Sequence, residues 1–370
     1  MKQLKGSITK RKDGYYKVKL GSRQKVCRTE TDAKRILREF KNQYDPSLIE
    51  YKRQTIRVGM EEWLNNVLKH SLKPMSYDRK ECTLHNQVYP YIGDCQVGSL
   101  NHKQIENMIS DQLDSGVSYS TVKKALEAVR GFYQYLINNR QISINPAAGI
   151  KLPAAKKSTK EISFYTEEEL QRIYQSAVST YSNGVQIYRL GQVIKLLANT
   201  GLRVGELLGL RWCDVDMDNK TLTVRGNRVT VIQRGADGSR KYVSIYQPSP
   251  KTKSGTRTIP LNKNAMECLT YLQEINGKFE NVCATKNGQP VSPRNIDRMF
   301  RNVATKAGIE PERIYGVHSL RHSFASMLIA KGVDIKKVSN LLGHKDVYIT
   351  YDIYVHLLPK DYSDAVALLD

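Results

Sequence analysis

No run of about eighteen apolar residues occurs in the 370-residue sequence, so no membrane-spanning helix is expected. Its six cysteines, Cys27, Cys82, Cys95, Cys213, Cys268 and Cys283, fall in no paired spacing. That pattern excludes a disulfide framework and a Cys-rich zinc site, and it reads as the reduced thiols of a cytosolic protein. The first residues, MKQLKGSITKRKDG, lack an apolar stretch behind their basic side chains, so neither a signal peptide nor a membrane anchor is expected there. Acidic side chains are scarce as well: 36 Asp and Glu stand against 58 Lys and Arg, a formal net charge of +22. Such an excess points to a large polyanionic partner, nucleic acid first among them, although a ribosomal or membrane-surface protein would share it. His318 and His322 are four residues apart, but no Glu follows His318 as a zinc-protease motif requires, and no nearby Cys or carboxylate completes a ligand set. No metal is therefore expected.

What is present divides along the chain, whose length suits two or three domains. Residues 1–50 carry fourteen basic and six acidic side chains, a net +8. Short alternating stretches broken at Asp13-Gly14 and Gly21-Ser22 predict two or three strands, and Ala33, Ile36, Leu37 and Phe40 predict a helix beginning near Thr31 or Asp32. A small sheet backed by one helix would leave a basic face free for a DNA groove, with Lys10, Arg11, Lys12, Tyr15, Lys17 and Lys19 as candidate contacts; a basic solvated leader is the alternative. Residues 54–150 are helical throughout: Met60, Trp63, Leu64 and Val67 form one stripe, and a later helix with Thr121 as its cap turns Leu126, Val129, Phe132, Tyr133 and Leu136 inward. The stretch INPAAGIKLPAAKKSTKEISF then reads as an extended linker, placed at 151–163, whose Lys156, Lys157 and Lys160 could lie along a phosphate backbone.

Residues 164–370 are expected to form the largest domain. Thr166 and Glu169 make a capping box, the helix through YRLGQVIKLLANTG ends at Gly201, and two β-branched stretches between Lys220 and Leu261 predict a small antiparallel sheet inserted among helices. Four pieces of this domain carry chemistry-bearing side chains. NTGLRVGELLGLRWCDVD places Arg203 and Glu206 just past a helix end. SPKTKSGTRTIPL places Lys251 at a strand end before a glycine turn. GVHSLRHSFAS places His318 and Arg321 three apart on one helix face, and LLGHKD places His344 after a glycine break. The segment GHKDVYITYDIYVH adds Tyr348, Tyr351 and Tyr354 at intervals of three, which suits either aromatic packing or a nucleophile.

In this order the four pieces resemble the tyrosine recombinases, the family of phage and conjugative-element integrases and chromosome-dimer resolvases. TGLRVGELLGLRWCDVD is similar to the family's first arginine box, PKTKSGTRTIPL to its lysine hairpin, and HSLRHSFAS with LLGHKDVYITYDIYVH to its second box and tyrosine segment. The N-terminal residues look like an arm-site DNA-binding domain and residues 54–150 like a helical core-binding domain. The resemblance implies a multidomain fold of the DNA breaking-rejoining kind: a small α+β arm-binding domain, an all-α core-binding domain and a mainly α catalytic domain with a small antiparallel sheet.

The resemblance further implies a catalytic set of Arg203, Lys251, His318, Arg321, His344 and Tyr354, with Glu206 in support. Thr350 and His356 bracket Tyr354 as the family's tyrosine segment is bracketed. On a helix, Tyr351 would stand about 60° and 4.5 Å from Tyr354, and Tyr348 about 120° and 9 Å, so the three are not interchangeable. In the implied reaction two guanidiniums grip the non-bridging phosphate oxygens, Tyr354 attacks phosphorus to form a 3′-phosphotyrosyl bond, and Lys251 protonates the departing 5′-oxygen. His318 would relay the Tyr354 proton, His344 would bond a phosphate oxygen, and Glu206 would orient Arg203 or His318. No cofactor and no divalent ion are expected. The implied partners are double-stranded DNA at core and arm sites and three further copies of the chain in a homo-tetramer, with room for an excisionase and a host DNA-bending protein. The expected setting is a bacterial cytoplasm. A binding-only protein that keeps the fold, and a topoisomerase-like nicking and closing enzyme, are the rival readings.

Overall fold

The computed structural model describes residues 6–20, 23–42, 53–153, 164–235, 237–248 and 256–354. The chain forms two compact units, Met1–Lys156 and Lys157–Asp370. Among the described residues, no helix is long and apolar enough to cross a membrane.

The first unit opens with the antiparallel sheet β1 (Ser7–Lys10), β2 (Tyr16–Leu20) and β3 (Arg23–Cys27), in that order. Gly14, at φ +82°, supplies the left-handed residue that the β1–β2 turn requires. Side chains alternate across the sheet, so Val18 is buried against Ala33 and Ile36 of α1 (Glu30–Asn42), while Lys17 and Lys19 take the opposite face. The helix is capped by Thr29, whose hydroxyl accepts from the Asp32 backbone N–H at 3.1 Å, rather than by the expected Thr31 or Asp32.

A separate helical core follows. It is built on α2 (Ile56–Trp63), α3 (Pro74–Thr83), α4 (His102–Asp114) and α5 (Tyr119–Asn138). Single π-turns, Leu64–Leu68 and Leu84–Val88, prolong α2 and α3. Ser118, not the expected Thr121, caps α5: its hydroxyl accepts from the Thr121 backbone N–H at 3.3 Å. The residues after α5 do not leave at once as an extended strand. Ala147 and Ile150 are buried, and the Arg130 guanidinium of α5 donates to both of their carbonyls, which holds this stretch against the helix. Lys156, Lys157 and Lys160 lie outside the described residues.

In the second unit, α6 (Glu167–Ala177) begins at the expected capping box, Thr166 with Glu169. Its core joins α6, α7 (Gln192–Thr200), α9 (Lys263–Asn276) and α10 (Pro293–Lys306) to the strands β5 (Thr221–Val224) and β8 (Arg257–Pro260). The single inserted sheet expected from the sequence is two sheets. A short one pairs β4 (Val215–Asp216), β5 and β8, and a hairpin pairs β6 (Gly226–Arg234) with β7 (Arg240–Pro248). The break falls at Gly226, where any Cβ would lie 2.5 Å from the Tyr246 hydroxyl and 2.6 Å from the Gln247 carbonyl, so only glycine lets the chain swing from one sheet to the other. Three helices complete the unit: α11 (Ser319–Ala330), α12 (Ile335–Leu342) and α13 (Val347–Tyr354).

Candidate active site

Two helix ends build the site. Helix α7 stops at Gly201, whose φ of +62° is the left-handed conformation, and a Cβ there would lie 2.5 Å from the Phe324 ring. Arg203 follows at once and precedes the short helix α8 (Val204–Gly209). Helix α12 ends the same way at Gly343, φ +65°. A helix leaves its last carbonyls without internal partners and carries partial negative charge there, so donors gather at such an end.

Three guanidiniums do so here. Arg257 Nε donates to the Leu341 carbonyl at 2.8 Å, Arg321 Nη2 donates to the Leu342 carbonyl at 2.6 Å, and Arg203 Nη1 reaches the same Leu342 oxygen at 3.4 Å. Arg321 also donates from Nη1 to the Gly201 carbonyl at 2.8 Å. The ends of α7 and α12 thereby bring together two arginines that are 118 positions apart in sequence, Arg203 and Arg321.

Glu206 offsets this positive charge. It accepts Arg203 Nη1 at 2.8 Å and the Arg203 backbone N–H at 2.9 Å, and it is held by Arg257 in a two-bond fork. Burial alone would raise the Glu206 pKa; the hydrogen bonds and charge of Arg257, then those of Arg203, reverse the effect and bring it down to about 2. The carboxylate is thus ionised and fully committed to the two arginines.

The imidazoles come from two places. His318 stands at the start of α11, and its ring meets the His322 ring edge-on, with centroids 5.1 Å apart. Burial, then the nearby Arg321 and Arg203, lower the His318 pKa. His344, just past Gly343, has Nδ1 2.6 Å from the hydroxyl of the buried Thr350. Burial and Arg321 bring its pKa down to about 4. Both rings are therefore neutral at pH 7.

Of the three tyrosines on α13, Tyr348 and Tyr351 are 68% and 44% exposed, whereas Tyr354 is 1% exposed. The Tyr354 hydroxyl lies 2.7 Å from Nδ1 of His322. Burial raises its pKa and the Arg321 charge pulls only partly against that. Lys251 and His356 lie outside the described residues. Among the described residues, no group of three or more His, Cys, Asp or Glu is placed to hold a metal ion.

The N-terminal candidates separate by face. Lys19 is exposed and Lys17 half-buried on the sheet face away from α1. Lys10 lies on the helix side with its ammonium 5.7 Å from the Tyr16 ring centre. Arg11, Lys12 and Tyr15 are exposed around the β1–β2 turn, where Arg11 pairs with Asp13 at 3.1 Å.

Two side chains of the site were not singled out by the sequence for these contacts. In the sequence His322 stands out only as a metal partner for His318, though its i, i+4 spacing already puts both rings on one helix face. Arg257 sits inside the lysine-bearing stretch, but nothing local pointed to a carboxylate 51 residues away. A groove beside the site is lined by Val204 and Val317, neighbours of Arg203 and His318, and by Arg294, Arg298 and Arg301 of α10. The spacing of those arginines along PRNIDRMFR is legible as one helix face.

Comparison with known proteins places these features. Residues 163–361 match the Phage integrase family, and residues 55–112 match the Phage integrase, N-terminal SAM-like domain. A "Tyrosine recombinase XerC-like" protein of Caldanaerobacter subterraneus subsp. tengcongensis is 29% identical over 346 residues, covering 87% of this chain and 84% of that one. Among solved structures, the Tn1549 transposon integrase in complex with transposon right end DNA is similar at a TM-score of 0.66 and 20% identity, covering 85% of this chain and 98% of that one. A lambda integrase tetramer bound to a Holliday junction is similar at a TM-score of 0.59 and 19% identity, covering 94% of each chain.

Proposed function

The chain belongs to the phage integrase family, the tyrosine recombinases, and from that premise we propose how its own residues carry out site-specific DNA strand exchange. It is a recombinase that breaks and rejoins DNA. The observation that carries the proposal is the meeting of Arg203 and Arg321 at the Leu342 carbonyl, with the buried Tyr354 hydroxyl held by a histidine of the same helix as Arg321.

A phosphodiester presents two non-bridging oxygens. The Arg203 and Arg321 guanidiniums exchange the Leu342 carbonyl for these oxygens and stabilise the charge that grows on them in the transition state. His344, oriented by Thr350, donates to the same phosphate. Tyr354 attacks phosphorus, forming the 3′-phosphotyrosyl bond and releasing a 5′-hydroxyl, and its proton passes to the pair His318 and His322. Lys251 supplies the proton for the leaving oxygen. The covalent bond conserves the phosphodiester, so an invading 5′-hydroxyl reverses the step without a nucleotide cofactor.

In this reading residues 1–50 bind arm sites through the Lys17 and Lys19 face, residues 54–150 bind core sites, 151–163 connect them to the catalytic residues 164–370, and the arginine groove on α10 lies against the duplex. Four copies act together on two duplexes in a bacterial cytoplasm, integrating and excising a mobile element with an excisionase and a host bending protein as accessory partners. The test is a suicide substrate, nicked so that the 5′-hydroxyl diffuses away. A DNA-linked peptide containing Tyr354 is the expected product, and no covalent adduct on cognate DNA would return the protein to the binding-only alternative.

A further inference from the structure

Among the described residues, the group within hydrogen-bonding distance of the nucleophile's hydroxyl is His322, with Nδ1 2.7 Å from the Tyr354 oxygen. The pair is not an accident of a loose surface. Tyr354 is 1% exposed and packs with Phe324, Ala325 and Leu342, and both partners sit on helices, α11 and α13. The 2.7 Å separation joins the atom that must lose a proton to an atom able to accept one.

We infer that His322 is the general base of the cleavage step, receiving the Tyr354 phenolic proton directly on Nδ1 as the phosphotyrosyl bond forms. This rests on the reading of Tyr354 as nucleophile. The atoms balance as follows. The Tyr354 O–H bond breaks and the O–P bond forms; the proton goes to His322, which becomes imidazolium; the bond from phosphorus to the 5′-oxygen breaks, and that oxygen takes its proton from the general acid. In ligation the imidazolium returns the proton to the departing phenolate.

The surroundings of His322 explain why the step waits for DNA. His318 and Arg321 face it from its own helix, Tyr354 from α13, and His344 lies close by beyond Gly343. Burial, then His318 and Arg321, bring the His322 pKa down to about 4, while burial raises that of Tyr354. In the free protein the proton therefore stays on tyrosine and Nδ1 acts as acceptor, with the other ring nitrogen protonated. A bound phosphate brings negative charge against Arg321 and Arg203, which removes part of the repulsion that holds His322 neutral. Proton transfer then becomes favourable only alongside attack, which keeps the nucleophile inert on its own.

The test compares His322→Ala with His322→Asn in single-turnover cleavage of the suicide substrate, with thermal midpoint and core-site binding measured for each. An Asn carbonyl oxygen can keep the hydrogen bond to Tyr354 but cannot hold a proton. Both variants are expected to bind DNA normally and to cleave about 100-fold or more slowly. Added imidazole should restore the Ala variant in proportion to its unprotonated fraction. A 5′-phosphorothiolate substrate, whose thiolate leaving group needs no acid, should leave both defects in place. Cleavage by the Asn variant within about threefold of the unaltered protein overturns the inference and reduces His322 to a positioning residue. Loss in both variants without any response to imidazole overturns it too, as does rescue by the thiolate substrate. If the unaltered protein forms no adduct at Tyr354, the failure lies in the reading of the nucleophile, seen before any His322 variant is compared.

Discussion

The Arg257 guanidinium closes a fork on the Glu206 carboxylate, Nη1 to Oε1 at 3.0 Å and Nη2 to Oε2 at 2.7 Å, while its Nε holds the Leu341 carbonyl. Arg257 begins the strand that follows Lys251, and Glu206 grips Arg203. One buried residue thus ties the foot of the lysine-bearing stretch to the first arginine. The two side chains are only 12% and 10% exposed, so removing Arg257 strips the fork from a buried carboxylate and leaves it Arg203 alone of the two arginines, while removing Glu206 leaves the buried Arg257 without its counter-charge. Arg257→Ala should lower stability by about 3 kcal/mol or more. Arg257→Lys keeps the charge but not the fork, and it should slow cleavage more than it weakens DNA binding. Urea unfolding with single-turnover cleavage and a gel shift measures all three. Unchanged cleavage in Arg257→Lys would remove the fork from the path to Arg203.

The same carboxylate sets a pH dependence. Its folded pKa, about 2, lies below the ordinary 4.5, so the unfolded chain binds the proton more readily. The stability it contributes is fully present above about pH 4.5 and is lost as pH falls toward 2. Unfolding free energy measured between pH 6 and pH 3 should fall more steeply for the unaltered protein than for Glu206→Gln, which has no such proton to gain. Parallel curves would mean that another carboxylate dominates.

Cleavage should persist in excess chelator. The groups converging on the site are guanidiniums and imidazoles, and its one described carboxylate, Glu206, is already held by two arginines. Two arginines can offset phosphate charge where other phosphoryl-transfer sites use metal ions. Adduct yield on a suicide substrate with and without EDTA decides it; loss of adduct in EDTA that added magnesium restores would reveal a required ion.

On the N-terminal sheet the faces differ. Lys19→Ala and Lys17→Ala should each weaken arm-site binding and reduce the slope of log affinity against log salt by about one, as the loss of one phosphate contact does. Lys10→Ala should do less, since that ammonium is placed over the Tyr16 ring on the helix side. Deleting residues 1–50 should abolish arm-site binding and leave core-site binding. Titrations at several salt concentrations separate these, and an equal effect of all three lysines would show that the open face is not the contact surface.

Much of this was legible because its causes are local. Gly201 and Gly343 announced helix ends by residue type, and those two ends position Arg203, Arg321 and His344. The three-residue spacing of the tyrosines placed them on different sides of one helix, as their exposures bear out. What escaped was set by distant packing. Thr29 and Ser118 displaced the expected caps because several hydroxyl-bearing residues were equally spaced for the role and tertiary packing fixed the helix start. The split sheet depends on Tyr246 and Gln247 crowding Gly226 from the facing strand. The Arg257 fork and the His322 contact join elements whose mutual position no periodicity encodes.

The three tyrosines give the sharpest prediction. Tyr354→Phe removes one hydroxyl from a buried ring and with it the bond to His322, costing about 1 kcal/mol of stability or less while shape and charge are kept. DNA binding should survive and covalent complex should vanish. Tyr348→Phe and Tyr351→Phe alter exposed hydroxyls on other sides of α13 and should cleave at close to the unaltered rate. Attack requires the oxygen within about 3–3.5 Å of phosphorus, so a single arrangement of α13 serves one tyrosine. Sequencing the DNA-linked peptide from each protein identifies it. Linkage at Tyr351 or Tyr348 would mean that α13 rotates or unwinds on DNA, because only then could an exposed ring take the place that Tyr354 now holds near Arg321.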